Sequence, residues 1–199
     1  MKIIIHYFDY KDCPLEQMKN SLYIYPEDIS LLDKYPVENV KKEKLISLIF
    51  KRKYIQEYSL NEHGKPLCKD KYFNISHSKG RIVFVEDVVP IGIDIEKIRK
   101  AEMNLIQYVS SEQERAYIQN EQNFYEVWTN KEALVKAYGT GFIDRIKDVP
   151  SLPLNSTREY KGNTYHNQTL IFDDYVLTIS RQAKEEFEME MTKEEIGYV

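Results

Sequence analysis

Apolar and polar residues alternate strictly from Ile91 to Glu96, where the chain runs Ile-Gly-Ile-Asp-Ile-Glu. Because successive side chains of a strand point to opposite faces, the isoleucines predict a core-facing side, and Gly92, Asp94 and Glu96 share the other side. Gly92 has no side chain and is expected to leave room there for a ligand to approach the backbone. The pattern therefore predicts a strand with two carboxylates on one face.

A helical period runs from Phe124 to Tyr138, and the Gly-Thr-Gly sequence after it is typical of a helix end. Side chains four positions apart lie on one side of a helix, so Trp128, Glu132 and Lys136 form a stripe. If this helix packs against the strand, Glu132 adds a third carboxylate to the first two.

The remaining periodicity places helices before strands in each half of the chain, which predicts an α+β fold with small, mainly antiparallel sheets. In the first half we expect helices at 13–25, 26–35 and 37–58, and strands at 1–8, 72–75, 81–86 and 90–97. In the second half we expect helices from residue 104, a capping box at 111–114, and strands at 157–160, 164–172 and 175–181. The charge-rich stretch 184–195 is expected to be a loosely held edge or tail.

Composition narrows the class of protein. The 199 residues are 42% hydrophobic and 30% charged with a net charge of -4, which is typical of a globular protein and unlike the basic face of a nucleic-acid-binding protein. No apolar stretch reaches the roughly 18 residues of a membrane span, and the short apolar run at the amino terminus lacks a signal-peptide cleavage site. Cys13 and Cys68 have no metal-type spacing. We therefore expect a cytoplasmic protein that binds neither nucleic acid nor a membrane.

Asp94, Glu96 and Glu132 would repel one another at one place unless a cation neutralises them. Mg2+ takes oxygen ligands and commonly links carboxylates to substrate phosphates, so these residues with Lys136 favour a metal-assisted phosphate-transfer site. A simpler interpretation stays open at this stage. Alternate acidic residues on a strand often form a solvated face, and Glu132 with Lys136 is an ordinary helical ion pair.

The segment Phe73-Asn74-Ile75-Ser76-His77-Ser78 ends a predicted strand with polar side chains. Ser76 and His77 at such a position are suited to bind a phosphate, the imidazole as a donor when protonated. The alternative is a loop whose serines only satisfy a turn.

This chain resembles the two-lobed 4'-phosphopantetheinyl transferases of the surfactin-synthetase-activating type in four segments. They are Gly64-Lys65-Pro66, Phe73 to Ser78, Ile91 to Glu96, and Trp128 to Lys136 with Gly139 and Gly141. The resemblance implies two pseudo-symmetric α/β lobes, 1–97 and 98–199, with the active site between them. It also implies the reaction that the enzyme catalyses. A serine of an apo acyl, peptidyl or aryl carrier protein attacks the β-phosphorus of coenzyme A, takes the phosphopantetheine group and releases 3',5'-ADP. The enzyme is expected to be a monomer.

The resemblance further implies roles for single residues. Asp94, Glu96 and Glu132 correspond to Mg2+ ligands, with Glu132 also the base for the carrier serine. Lys136 corresponds to a contact to the pyrophosphate, His77 and Ser76 to the 3'-phosphate site, and Lys65 with Pro66 to a further coenzyme A contact.

One departure from the family pattern concerns arginine. Relatives usually carry arginines in the early helical region that hold the nucleotide phosphates, whereas no arginine precedes Arg52 here. The expected substitutes are lysines, which act as point charges without the bidentate fork of arginine. The candidates are Lys34, Lys41, Lys42 and Lys44.

The segment 97–106 is expected to receive the carrier protein. Its positive residues, Lys97, Arg99 and Lys100, complement an acidic carrier, and its apolar residues, Met103, Leu105 and Ile106, offer anchors. Alternatively, Leu105 and Ile106 belong to the core of the second lobe.

Two other functions remain open. A metal-dependent nuclease or phosphodiesterase would use a similar acidic set, although Lys97 directly follows Glu96 and is predicted to point to the opposite face. A non-catalytic homologue that binds a nucleotide or a carrier protein would have no need of crowded negative charge.

Overall fold

The computed structural model describes residues 1–55, 57–60, 62, 66–141 and 145–197. The strands are β1 (Lys2–Asp9), β2 (Ser59–Leu60), β3 (Pro66–Leu67), β4 (Tyr72–Ser78), β5 (Arg81–Asp87), β6 (Ile91–Lys97), β7 (Thr157–Tyr160), β8 (Asn163–Phe172), β9 (Tyr175–Arg181) and β10 (Glu188–Lys193). The α-helices are α1 (Leu15–Lys19), α2 (Pro26–Leu31), α3 (Glu38–Phe50), α4 (Met103–Val109), α5 (Glu112–Tyr117) and α6 (Glu121–Tyr138). Turns of 3-10 helix lie at Leu32–Lys34 and Ile146–Asp148, and α3 continues into a π-helical turn at Lys51–Ile55.

Two four-stranded sheets form the centre of the molecule. The first has the order β10-β1-β5-β4, with β10 parallel to β1 and the other pairs antiparallel. The second has the order β6-β9-β8-β7 and is antiparallel throughout. This architecture confirms the predicted α+β class.

The sheets pack against each other through apolar faces, and the helices cover their outer sides. The shared core contains residues of both sheets, among them Ile3, Ile5, Val83, Val85, Ile91, Ile93, Ile95, Leu177 and Ile179. The three isoleucines of β6 are completely buried, as their alternation predicted. On the far side of the first sheet, α3 packs over Phe73 and Phe84. Within the described ranges, no helix is both long and apolar enough to cross a membrane.

Two strands differ from the expected layout. The strand at 90–97 was expected with the other strands of the first half, but β6 pairs with β9 and so belongs to the second sheet. The stretch 184–195 contains an edge strand, which agrees with one of its two expected forms, but it is not loosely held, because β10 pairs along β1 and Glu194 accepts a hydrogen bond from Tyr54 at 2.7 Å. Each of the expected lobes, 1–97 and 98–199, thus contributes a strand to the sheet built mainly by the other lobe: β6 joins the second sheet and β10 joins the first. The division into these lobes stays a prediction.

Gly92 allows α6 to pack directly on β6. A Cβ atom added at this position would lie 2.2 Å from the carbonyl oxygen of Ala133 and 2.4 Å from the backbone nitrogen of Ala137. Helix backbone therefore fills the room beside Gly92, and the expectation that a ligand approaches there is wrong. The close contact places α6, with Glu132 and Lys136, on the same side of β6 as Asp94.

We expect Gly92→Ala to lower the free energy of unfolding by about 2 to 3 kcal/mol, because α6 must move away from β6 to admit the methyl group. Urea denaturation measures this loss. Gly197→Ala is a matched control, since its added Cβ atom would meet only Leu22 Cδ1 at 3.7 Å, an ordinary contact. Equal stability of the two variants would contradict the direct packing of α6 on β6.

Candidate functional site

Polar side chains of β4 join the edge of the first sheet to the edge of the second. The hydrogen bonds run from Ile93 N to Asn74 Oδ1 (3.0 Å), from Ile95 N to Ser76 Oγ (3.4 Å) and from Lys97 N to Ser78 Oγ (3.2 Å). The three β4 residues alternate along the strand, so their side chains share one face. They satisfy backbone donors on the edge of β6 that faces away from β9, and we call this set of contacts the seam.

The serines of the seam also hold the carboxylates of β6. Ser76 Oγ donates to Asp94 Oδ1 at 2.8 Å, and Ser78 Oγ donates to Glu96 Oε2 at 2.6 Å. The ammonium of Lys136 donates to the same oxygen of Asp94 at 2.6 Å and to Ser76 Oγ at 3.1 Å. Side chains from the first sheet, the second sheet and α6 therefore meet at Asp94.

Negative charge is crowded at this place. Burial raises the pKa of Glu132 to about 7, with Asp94 and Glu96 adding to the rise and the Lys136 ammonium opposing it. Burial also raises the pKa of Glu96, a rise that the Ser78 hydrogen bond opposes and the charge of Asp94 reinforces. The three carboxylates thus interact electrostatically, as expected for β6 packed against α6.

The donor set fits Mg2+ in its chemistry. Asp94 is buried, and its Oδ2 atom has no hydrogen-bond partner among the described residues, which leaves an oxygen for a cation. Carboxylate oxygens are the protein ligands that Mg2+ prefers. In the part of the chain that the structure describes, however, no group of three histidine, cysteine, aspartate or glutamate side chains is placed to hold a metal ion. The Lys136 ammonium is the cation beside Asp94 in this structure.

A buried ion pair holds α6 from its other side. Lys131 is completely buried, and its Nζ atom lies 2.9 Å from Glu114 Oε2 and 2.7 Å from the carbonyl oxygen of Val149. Burial lowers the pKa of Lys131, and Glu114 opposes this change. Glu114 also closes the predicted capping box with Ser111 at the start of α5. Sequence analysis missed Lys131, because lysines are rarely buried and nothing local marks this one.

His77 lies apart from the carboxylates. Neighbouring residues of a strand face opposite sides, so His77 points away from the face that carries Ser76. The imidazole is 51% exposed, and its Nδ1 atom lies 3.5 Å from Glu43 Oε2 on α3. α3 also carries Lys41, Lys42 and Lys44, so the histidine stands beside the region where basic substitutes for arginine are expected.

The other predicted coenzyme A contacts are only partly located. Lys65 lies outside the described residues, and Pro66 begins β3. Among the candidate lysines, Lys42 is buried and pairs with Glu38 at 3.0 Å. The roles assigned to Lys65, Pro66, Ser76, His77 and Lys136 stay predictions.

The segment after β6 presents an apolar surface on α4. Met103 is 64% exposed, Leu105 40% and Tyr108 71%, whereas Ile106 is partly buried against the core around Val109. The alternative that Leu105 belongs to the core is therefore wrong, whereas it holds in part for Ile106. Sequence analysis did not single out Tyr108.

Asn74 and Ser78 were not recognised as members of the seam. The strand predicted here ended at residue 75, whereas β4 continues to Ser78. Polar residues at 74, 76 and 78 repeat with the period of a strand, and this repeat is the signal that predicts one polar face for all three.

Comparisons with known proteins point to one family. A family model described as the 4'-phosphopantetheinyl transferase superfamily matches residues 90–180. The 4'-phosphopantetheinyl transferase Sfp of Bacillus subtilis strain 168 is 31% identical over 169 residues, which cover 74% of this chain and 72% of Sfp. The transferase gsp of Aneurinibacillus migulanus is 34% identical over 119 residues, 56% of this chain and 46% of gsp. The transferase ffp of Bacillus subtilis is 35% identical over 108 residues, 50% of this chain and 45% of ffp. The chain thus spans about half the length of gsp and ffp.

We expect Glu132→Gln to change how stability depends on pH. The pKa of Glu132 is about 7 in the folded protein against an ordinary value of 4.5, so between these values the unfolded chain has released a proton that the folded chain keeps. Ionisation of Glu132 therefore makes the wild type lose stability as the pH rises through this window, and the variant lacks this loss. The raised pKa of Glu96 causes a loss of stability in both proteins. At pH 8, Glu132→Gln should be more stable by about 1 to 3 kcal/mol.

Urea denaturation without divalent cations, repeated from pH 4 to pH 8, measures this difference. Glu185→Gln, at an exposed position between β9 and β10, is the control and should follow the wild type. If Glu132→Gln also followed the wild-type curve, Glu132 would not be the group whose ionisation is suppressed.

Proposed function

Because the chain belongs to the 4'-phosphopantetheinyl transferase superfamily, we propose that it transfers the 4'-phosphopantetheine group of coenzyme A to a serine of an apo carrier protein. The reaction is proposed to need Mg2+ and to release 3',5'-ADP. The observation that carries this proposal is the meeting of Asp94, Ser76 and Lys136 next to the crowded carboxylates Glu96 and Glu132. A cytoplasmic location and a monomeric state stay predictions.

Displacement at phosphorus needs mainly positioning and neutralisation of charge, and the residues of the site divide these tasks. Asp94, Glu96 and Glu132 are proposed to hold Mg2+, with Asp94 offering its unpaired Oδ2 atom. When bound, the ion supplies positive charge to the phosphate oxygens. Lys136 binds and orients the pyrophosphate in this proposal. Glu132, with a pKa near 7, is suited to take the proton of the carrier serine, since a base works best when its pKa lies near the working pH.

The nucleotide end of coenzyme A is proposed to lie near His77. Its exposed imidazole stands beside α3, where lysines supply positive charge for a 3'-phosphate. Ser76, Lys65 and Pro66 are proposed to complete the contacts to coenzyme A. Because lysine binds phosphate as a point charge, we expect this site to depend on several such contacts rather than on one bidentate pair.

The geometry of Lys97 favours a transferase over a nuclease. A nuclease of the Glu-x-Lys type needs a lysine on the same face as the acidic pair. Lys97 lies on the opposite face of β6 from Glu96, and its ammonium is 2.7 Å from Asp174 Oδ2 in the turn between β8 and β9. This ion pair directs Lys97 away from Asp94.

We expect the intact mass of an apo carrier protein to rise by one phosphopantetheine group when it is incubated with this protein, coenzyme A and Mg2+. Asp94→Ala should lower the rate on the order of 100-fold, because the charge that holds the cation is lost, while the protein stays folded. Mass spectrometry of the carrier measures both rates, and Asp12→Ala, at an exposed position, is the control.

Three outcomes would count against this assignment. A wild-type rate for Asp94→Ala in Mg2+ would remove Asp94 from the metal site. Cleavage of DNA with no change in carrier mass would support a nuclease, and neither reaction would support a non-catalytic homologue.

We expect Met103→Glu to raise the KM for the carrier protein about tenfold, a loss of about 1.4 kcal/mol, because the substitution places a negative charge on an apolar surface proposed to receive an acidic partner. The KM for coenzyme A and the thermal midpoint should not change, since Met103 is 64% exposed. Val88→Glu, 74% exposed in the turn between β5 and β6, is a matched control elsewhere on the surface. A fall in stability with an unchanged carrier KM would place Met103 in a structural role instead.

A further inference from the structure

We propose that Ser78 is a positioning residue that fixes the orientation of Glu96 for cation binding. This inference rests on the metal site of the proposed function, and it assigns a task to a serine that lies outside the set of ligands and substrate contacts. The inference depends on the contacts of the Ser78 hydroxyl group.

The Ser78 hydroxyl makes hydrogen bonds to two partners. It donates its proton to Glu96 Oε2 at 2.6 Å and accepts a proton from Lys97 N at 3.2 Å. The donor bond to a carboxylate is the stronger kind, and the acceptor bond ties the same oxygen atom to the backbone of β6. Because Ser78 is only 7% exposed, water has little access with which to replace either partner.

The turn after Ser78 is anchored in the second sheet. Lys79 and Gly80 have φ angles of 44° and 107°, as in the tight two-residue turns of β-hairpins. Tyr175 OH of β9 donates to the carbonyl oxygen of Lys79 at 3.2 Å. Ser78 is therefore held in place in two ways, by the hydrogen bonds of its own hydroxyl to β6 and by the contact of the following residue, Lys79, with β9.

Arg81 strengthens the same anchor from the start of β5. Its guanidinium lies 3.0 Å from Asp173 Oδ2 in the turn between β8 and β9, and 4.7 Å and 4.6 Å from the ring centroids of Phe172 and Tyr175. Arg81 is 7% exposed, so these contacts form a closed junction between the two sheets. The β4–β5 turn cannot shift without moving this junction.

Two serines thus act on two carboxylates in the same way. Ser76 and Ser78 are two positions apart on β4, and Asp94 and Glu96 are two positions apart on β6. Each serine holds one oxygen of its carboxylate, Oδ1 of Asp94 and Oε2 of Glu96. A carboxylate held through one oxygen presents the other in a fixed direction, which reduces the ordering that a cation must impose when it binds.

Asn74 provides a matched control within the same seam. Its Oδ1 atom accepts a hydrogen bond from Ile93 N at 3.0 Å, and among the described residues it makes no hydrogen bond to a carboxylate. Asn74→Ala therefore removes a seam bond alone, whereas Ser78→Ala removes a seam bond and the hold on Glu96. The comparison separates the positioning of Glu96 from the joining of the sheets.

The test is a titration of the whole protein with Mn2+ in the presence of coenzyme A, followed by electron paramagnetic resonance of the free ion. We expect Ser78→Ala to weaken Mn2+ binding about tenfold, the lower end of the effect of groups that orient metal ligands. Ser78→Thr keeps the hydroxyl and should restore binding. Ser78→Cys keeps the size but donates weakly, and it should behave like Ser78→Ala. Asn74→Ala should lower the thermal midpoint but bind Mn2+ as the wild type does.

The outcomes distinguish this inference from the proposed function. Wild-type Mn2+ affinity in Ser78→Ala or Ser78→Cys would overturn the inference while leaving the metal site in place. An equal loss of affinity in Asn74→Ala would overturn it too, because the seam as a whole would then be responsible. Absence of Mn2+ binding by the wild type would instead contradict the metal site of the proposed function.

Discussion

Backbone donors on the outer edge of β6 are satisfied by side chains of β4 and not by a further strand. Buried donors without partners are costly, so the hydrogen bonds to Asn74, Ser76 and Ser78 determine how the two sheets meet. The hydroxyls of the two serines donate hydrogen bonds to Asp94 and Glu96. The contacts that join the sheets are therefore the contacts that orient the carboxylates, and the site cannot be separated from the way the fold closes.

The second requirement is that α6 lies directly on β6. Gly92 allows this contact, and the buried pair of Lys131 with Glu114 holds the helix from the other side. Burial raises the pKa of Glu132 to about 7, and the nearby strand carboxylates add to the rise. Such crowding costs stability unless a cation compensates, and perturbed carboxylates of this kind are typical of functional sites. In this structure, Lys136 provides the compensating charge at Asp94.

Local elements were predicted well where one periodic pattern spans several residues. The alternation at 91–96, the capping box at Ser111 and the long helix ending at Gly139 appear as expected. The predictions failed where the outcome depends on distant partners. β6 pairs with β9 and so joins the second sheet, residues 188–193 are held firmly along β1, and the space beside Gly92 holds helix backbone. Alternation specifies which face of a strand is buried, but it does not specify the neighbouring strand.

The sequence by itself determined the chemistry of the candidate site. The strand period places Asp94 and Glu96 on one face, and the helix period places Glu132 and Lys136 on one side of the helix. Only the tertiary structure decided which side chains hydrogen-bond to these carboxylates. Ser78 reaches Glu96 across 18 positions, and Lys136 reaches Asp94 across 42. Contacts at such separations depend on the packing of two sheets and a helix, and local periodicity contains no information about which edges will meet. For the same reason, the serines of β4 resemble ordinary turn residues until β6 lies beside them.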